Sequence, residues 1–368
     1  MESTQITKDK IVKFINVHVK MSNCTLRCHY CYVTISKTFG HPIPKLEYSA
    51  TFIRQALSQK RLGGCCHLNF CADGETLLLP ELIDVVRELL EEGHYISIVT
   101  NATLSNKIDQ LIALPAHLRS HLFIKASYHY LELVERNLID TFFDNVNRLH
   151  KSGISITIEV TPKDELSPYA EEAVNICRER TGASPHFTLA RNDRYRHQPL
   201  LTNLSREDYR KTWGRFNSTM FNFKERIFGI PVKKFCYAGE WFLCLELLSG
   251  NLTKCHGTPV IQNIYSDLNE PIKLEAIGRR CPRAYCYNGH ALLTMGMVPG
   301  IESPTYAETR DRVNANGEHW LHPDVRAAFS QRFYENNPHY PYFKRLNMTI
   351  RYYGHLLKTK LRHYTQRK

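Results

Sequence analysis

The chain has no run approaching the roughly 20 apolar residues that a bilayer span requires, although 43% of its 368 residues are hydrophobic. Met1 to Lys10 is polar and charged and carries no apolar core of signal-peptide length. The sequence therefore predicts neither a membrane helix nor a secretory leader, and a cytosolic location. Acidic residues are missing from the end of the chain. Lys344 to Lys368 holds eight Lys and Arg and no Asp or Glu, so this stretch supplies eight of the net +12 charges and the remainder is nearly balanced. Arg351 to Lys368 is expected to form a helix with Tyr353, Leu357, Leu361 and Tyr364 on one side. A basic amphipathic segment suits an anionic membrane surface or partner, and a solvated tail is the plain alternative. Nucleic acid is a further, less favoured partner, an option only because phosphate attraction needs no more than positive charge.

Twelve cysteines are present instead, and in a reducing compartment ligation of a metal or cluster explains them better than disulfides. Cys24, Cys28 and Cys31 form a C-x-x-x-C-x-x-C loop directly after the branched apolar run Ile11 to Val19. Three thiols on so short a loop can converge on one side of a small cluster. A four-iron, four-sulfide cubane takes cysteine thiolates as ligands, so three of them leave one iron open for chemistry. The competing readings are a structural zinc site, with His29 as fourth ligand, and buried thiols acting as small hydrophobes.

The pattern downstream is a repeat of strand and helix. Strand-like runs fall at Ile11 to Val19, His67 to Phe70, Tyr95 to Val99, Leu122 to Ala126, Ile154 to Val160 and, more weakly, His186 to Leu189. Helical stretches fall between them, notably Ser49 to Lys60, Pro80 to Glu92 and Asp140 to Lys151. Such alternation predicts a parallel α/β sheet with right-handed crossovers, and six units in about 190 residues suit an open fragment of the eight-stranded barrel. Function is then expected at the C-terminal face, where the cysteine loop, Asp73-Gly74-Glu75-Thr76, Asn101, Ser127 and Glu159 fall at or near strand ends. Each of these is also an ordinary strand-end cap or turn former.

The cysteine spacing, with Tyr30 just before the last thiol and the motif near the N-terminus, resembles the signature of the radical S-adenosylmethionine (radical SAM) enzymes. The resemblance implies a partial (β/α)6 TIM-type barrel. It also implies a [4Fe-4S] cluster on Cys24, Cys28 and Cys31, S-adenosylmethionine on the open iron, and reductive formation of a 5'-deoxyadenosyl radical that abstracts hydrogen from a substrate. By the same resemblance Asp73 to Thr76 corresponds to the Gly-Gly-Glu type motif that binds the SAM amino group, with Asp73 in place of the first glycine. Tyr30, Asn101, Ser127 and Glu159 fall where further cofactor contacts are made. An electron donor of flavodoxin or ferredoxin type is implied as a partner.

A second cysteine group lies further along. Apolar runs flank Ser249-Gly250-Asn251, a β-hairpin signal that would bring Cys236 and Cys255 together, and Cys281 and Cys286 form a late pair. Four thiols can hold one cluster, and zinc is the rival. The arrangement resembles the SPASM and twitch extensions of radical SAM enzymes, and the one-cluster twitch form fits the smaller cysteine count. It implies an auxiliary [4Fe-4S] cluster that accepts the electron left on the substrate or holds the domain's shape. Cys244, mid-strand among large apolar residues, reads as an inert buried thiol, and Cys65, Cys66, Cys71 and Cys177 read as packing residues.

The expected organisation is an arm over 1–10, the barrel over 11–199, a helical bridge over 200–232, the small hairpin-plus-helix domain over 233–290 and an extension over 291–368. The resemblance leaves the substrate open between a sugar of surface polysaccharide synthesis, oxidised or epimerised, and a ribosomally made peptide. A zinc-stabilised, non-enzymatic nucleic-acid-binding protein is the reading outside enzymes. Ala291 to Lys368 carries no catalytic motif.

Overall fold

The computed structural model describes residues 10–39, 41–192, 195, 197–279, 281, 283, 285, 286 and 288–365, with side chains as far as residue 354. Six strands run parallel in chain order: β1 Lys13–Val19, β2 Cys66–Ala72, β3 Tyr95–Thr100, β4 Leu122–Ser127, β5 Ser155–Val160 and β6 His186–Phe187. The sheet does not stop at β1. Strand β7, Phe242–Glu246, pairs in parallel with its other edge, and β8 Asn251–Thr253 and β9 Val260–Asn263 follow antiparallel. The order β6-β5-β4-β3-β2-β1-β7-β8-β9 is an unclosed barrel with β6 and β9 at its edges. It is the α/β partial barrel that the repeating pattern predicts.

Helices pack against one face of the sheet. The chief ones are α1 Ala50–Ala56, α2 Leu82–Glu91, α3 Ile139–Lys151, α4 Ala170–Thr181, α5 Arg206–Gly214, α6 Thr219–Ile227, α7 Pro323–Phe329 and α8 Tyr342–Thr365. Serine caps start three of them: Ser49, Ser205 and Ser218 accept from the amides of Phe52, Asp208 and Phe221. The expected helix over 49–60 breaks after α1, and a separate turn of helix follows at Gln59–Leu62.

Alternation along the strands separates two environments. Ile15, Val17, Leu68, Phe70, Ile96, Ile98, Ile156 and Ile158 face the helices and build the larger core with Val85, Leu89 and Phe142. The intervening residues face the barrel interior, and this inner face is layered. Toward the N-terminal ends of the strands Phe14, Tyr95, Phe123 and Phe242 are apolar and join a second cluster with Tyr306, Phe329 and Phe333 of the extension. Phe329 stacks on His67 at 4.3 Å between ring centroids. The extension is thus a plug in the bottom of the barrel. Toward the C-terminal ends the same face turns polar, with Asn16, Asn69, Lys125, Thr157 and Glu159.

The hairpin expected around Ser249 to Asn251 is β7 and β8. Gly250 sits at φ +76°, where a side chain would also collide with the Tyr265 ring. The hairpin continues the barrel sheet through β1, with Cys244 in register with Asn16. The basic helix starts earlier than expected, at Tyr342. Leu357, Leu361 and Tyr364 lie outside the described side chains.

Candidate functional site

The cysteine loop leaves the end of β1 and is fixed by the loop after β2. The amide of Gly74 donates to the Met21 carbonyl at 2.8 Å and that of Glu75 to Asn23 at 2.8 Å. A Cβ on Gly74 would meet the Asn23 oxygen at 2.0 Å, so glycine is required here by the approach of two backbones. From the end of β3, Asn101 donates to Thr25 Oγ1 at 2.9 Å and toward Cys24 Sγ at 3.7 Å. From the helix after β4, Glu132 accepts the Arg27 amide at 2.6 Å.

Glu75 takes part in this bracing from the inside. It is 1% exposed, and its carboxylate accepts from Thr100 Oγ1 at 2.6 Å, the Asn101 amide at 2.8 Å and the Leu77 amide at 2.9 Å. Thr76 is equally buried and accepts the Ala72 amide at 3.0 Å. Of the four residues 73–76, Asp73 and Gly74 line the cavity beside the thiols, and Glu75 and Thr76 stand behind it.

That cavity has a volume of about 870 Å³. Cys24, Cys28 and Cys31 line it together with Tyr30, Asp73 and Arg191. Burial pushes the Cys24 and Cys28 thiols above their ordinary pKa. A bare thiolate is therefore disfavoured, and the positive charge of iron is what would reverse that. Half-burial would raise the Asp73 carboxyl, but hydrogen bonds from His18 at 3.0 Å and the Tyr32 hydroxyl at 2.6 Å outweigh it and hold the group below its ordinary range. Tyr30 bonds to His129 Nδ1 at 2.5 Å, and burial lowers that imidazole to about 4, so the ring is neutral at physiological pH.

Below the cavity lies the polar layer of the inner face. Asn69 donates to Asn16 at 2.9 Å, and Lys125 to Asn69 at 3.4 Å. Ser127 and Glu159 stand in register at the ends of β4 and β5. Glu159 Oε1 is 2.7 Å from Nη1 of Arg310, a fully buried residue of the extension. Asn101, Ser127 and Glu159 are not among the residues lining the cavity. Sequence reasoning missed Asn16, Asn69, Lys125, Lys224 and Arg310. For the first three a signal existed in every second position of the strands: Asn16 and His18, His67 and Asn69, Lys125 and Ser127. Lys224 and Arg310 arrive from outside the strands, and no local pattern marks them.

The second cysteine group also meets around one space. Cys236, Cys255, Cys281 and Cys286 line a cavity of about 390 Å³ with His256 and Arg283. An isolated bridge pairs Cys236 with Gly278. Burial raises all three of the enclosed thiols, Cys236 and Cys255 to about 12 and Cys286 well above its ordinary value. Cys244 and Cys71 differ from the packing role expected of them. Cys71 lies beside the Asn16 side chain, and Cys244 Sγ is 3.6 Å from His256 Nδ1, so both face polar partners on the inner side. Among the described residues no three His, Cys, Asp or Glu side chains stand close enough to grip a single metal ion. At each site the thiols instead ring a space.

Residues 19–165 match the family model described as the Radical SAM superfamily. This segment, from the end of β1 past β5, is similar to that superfamily, whose enzymes use a [4Fe-4S] cluster and S-adenosylmethionine. No curated protein matches the chain. Among solved structures it is similar to Streptococcus suis SuiB bound to S-adenosylmethionine, with a TM-score of 0.48, 14% identity and 72% of this chain and 67% of that one covered. It is also similar to anSMEcpe with bound AdoMet and Cp18Cys peptide, with a TM-score of 0.46, 14% identity and coverage of 70% and 80%. A third is BtrN in complex with AdoMet and 2-DOIA, with a TM-score of 0.33, 16% identity and coverage of 76% and 93%.

Proposed function

We propose that the protein removes a hydrogen atom from a C–H bond of a polar, sugar-type substrate, oxidising or epimerising it. Cys24, Cys28 and Cys31 would hold the catalytic [4Fe-4S] cluster, and Asp73 with the Gly74 backbone would hold the amino end of S-adenosylmethionine. When bound and reduced by a flavodoxin- or ferredoxin-type donor, this pair of groups supplies a 5'-deoxyadenosyl radical.

The observation that carries the reading is the gathering of the three thiols around one cavity that also contains an ionised carboxylate, Asp73. Three protein ligands leave one iron for a cosubstrate. The ionised Asp73 attracts an ammonium group, and Tyr30 with the neutral His129 closes one wall. Exclusion of water from such a site when its cosubstrate is bound would protect a reactive intermediate from quenching. Asn16, Asn69, Thr157 and Lys125 beneath suit a hydroxyl-bearing substrate, because each presents hydrogen-bonding groups to a buried surface. Cys236, Cys255, Cys281 and Cys286 would hold a second [4Fe-4S] cluster in a twitch-like region. The test is to supply sugars and peptides deuterated at candidate positions under anaerobic reducing conditions. Deuterium in 5'-deoxyadenosine from a sugar supports the reading; label arriving only from peptides moves it to peptide maturation.

The exposed face of α8 supports a further partner, an anionic membrane surface. Phe343, Leu346 and Ile350 recur at spacings of three and four and are all exposed, with Lys344, Arg345 and Arg351 beside them, while Tyr353 continues the row to the edge of the auxiliary cavity. Among the described residues no helix is long and apolar enough to cross a membrane.

A further inference from the structure

The polar layer under the thiol-lined cavity gathers more positive than negative charge. Arg310 is 0% exposed; its Nη1 meets Glu159 at 2.7 Å and Met220 Sδ at 3.1 Å, while Nε and Nη2 have no partner. Lys224 on α6 is buried and donates to Thr188 Oγ1 at 2.6 Å. Lys125 on β4 is buried, with Asn69 Oδ1 at 3.4 Å. Burial first, and then the like charges of Arg191, Arg310 and Lys125, hold the Lys224 pKa well below its ordinary value, with Glu159 opposing. Nδ1 of His290, in the same field, and Thr157 Oγ1 are also buried without partners.

The layer adjoins the cavity. Thr161 and Ala190 line the cavity and lie two residues beyond Glu159, the partner of Arg310, and Thr188, the partner of Lys224. Arg191, which lines the cavity, shares their field.

Buried charge is tolerated when it is paired, and Glu159 alone faces Arg310, Lys125 and a Lys224 whose charge burial disfavours until an anion neutralises it. The unused Nε and Nη2 of an arginine form the fork that fits two oxygens of one oxyanion. We propose that Arg310, Lys224 and Lys125 seat an oxyanion carried by the substrate, a phosphate ester or a carboxylate. This rests on the cavity being the radical site, because the anion would belong to the molecule whose C–H bond is presented there. The substrate is then an acidic or phosphorylated sugar, and the extension contributes Arg310 to recognition as well as plugging the barrel.

The experiment titrates pyrophosphate, malonate and neutral glycerol into the full-length, cluster-reconstituted chain, following the thermal midpoint at ionic strength matched with sodium chloride. One or both anions should raise the midpoint by several degrees and glycerol should not, since a ligand that binds only the folded state stabilises it. A response to pyrophosphate alone identifies phosphate as the source, and a response to malonate alone identifies carboxylate. Lys224→Met and Lys125→Met should each weaken that binding about tenfold or more, as removal of one partner of a buried charge pair does. Lys224→Arg, which keeps the charge, should retain most of it and guards against loss of folding in the methionine variant. No anion-specific stabilisation of the wild-type chain, or unchanged affinity in folded methionine variants, overturns the site. Deoxyadenosine formation by the wild-type chain is scored separately, so a failed radical reading and a failed anion site give different results.

Discussion

The α-carbon of Gly74 lies against the backbone of Asn23 so closely that a β-carbon would come within 2.0 Å of the Asn23 oxygen. Two amides cross the same contact, from Gly74 to Met21 and from Glu75 to Asn23. The loop carrying three thiols therefore has its shape set by the loop after β2. Gly74→Ala must push the two apart. It should cost about 1–3 kcal/mol, the range of other overpacking changes. The larger effect is expected on function: iron retained per chain and deoxyadenosine formed should both fall sharply, as read by iron analysis and by chromatography of the nucleoside. A Gly74→Ala protein with full iron and full SAM cleavage would refute this coupling.

Glu75 makes the same junction sensitive to charge. Burial lifts its pKa above the ordinary 4.5 in spite of bonds from Asn101, Thr100 and Leu77. A carboxyl with a raised folded pKa binds more protons folded than unfolded in the interval between the two values. Its contribution is full below the ordinary value and declines as pH rises through the raised one. Glu75→Gln removes this titration and turns an acceptor into a donor facing the backbone amides. The variant should be less stable by roughly 2 kcal/mol in mildly acidic solution, and the gap to wild type should narrow as pH rises through that window. Denaturant midpoints measured at several pH values check both signs.

The auxiliary group can be read by iron content. With Cys236, Cys255, Cys281 and Cys286 around one cavity, replacing all four by alanine should remove about half of the iron from a reconstituted chain and leave the signal of the first cluster. Unchanged iron, with zinc found in the untreated protein, would assign the thiols to a mononuclear site.

Much of this was legible in the sequence, and the remainder has a physical reason for being hidden. The three-cysteine loop and the strand-helix repeat are local patterns, so both could be read directly. The sequence also marked Gly74 and Glu75, but motif reasoning aimed the Glu75 carboxylate at a ligand; whether a strand-end side chain points inward or behind depends on register, and here it braces β3. Cys244 looked like a core residue because its neighbours are large and apolar, yet it alternates onto the inner face beside Asn16. The extension offered no motif because plugging a barrel needs only scattered aromatics, and Arg310 reaches Glu159 across a gap of about 150 positions that no periodicity spans.

That plug gives a stability prediction. Phe329 is fully buried and touches His67, Phe123 and Tyr306 rings. Phe329→Ala should destabilise the fold by about 3–5 kcal/mol, the usual range for a large aromatic removed from a core. Because the cluster unites β1, β3, β4, β7 and the extension, unfolding followed by tryptophan fluorescence and by far-UV circular dichroism should shift together. A change under about 1 kcal/mol would mean that the extension only rests on the barrel.

Helix α8 presents Phe343 at 79% and Ile350 at 61% exposure on one face, while Met348 and Tyr352 on its opposite side approach Gly278 and the auxiliary cavity. The inward side is thus used by the protein, and the outward side is apolar and bordered by Lys344, Arg345 and Arg351. An interfacial helix gains from apolar insertion and from attraction to anionic headgroups together. The wild-type chain should sediment with vesicles rich in phosphatidylglycerol and much less with phosphatidylcholine alone, and binding should weaken as salt rises. Phe343→Ser with Ile350→Ser removes two large side chains from the inserting face, each worth about 1.5–3 kcal/mol when fully buried. Allowing for partial insertion, the double variant should bind the anionic vesicles at least about tenfold more weakly. Equal sedimentation of wild type and variant, or equal binding to neutral vesicles, would remove the membrane surface as the partner of this face.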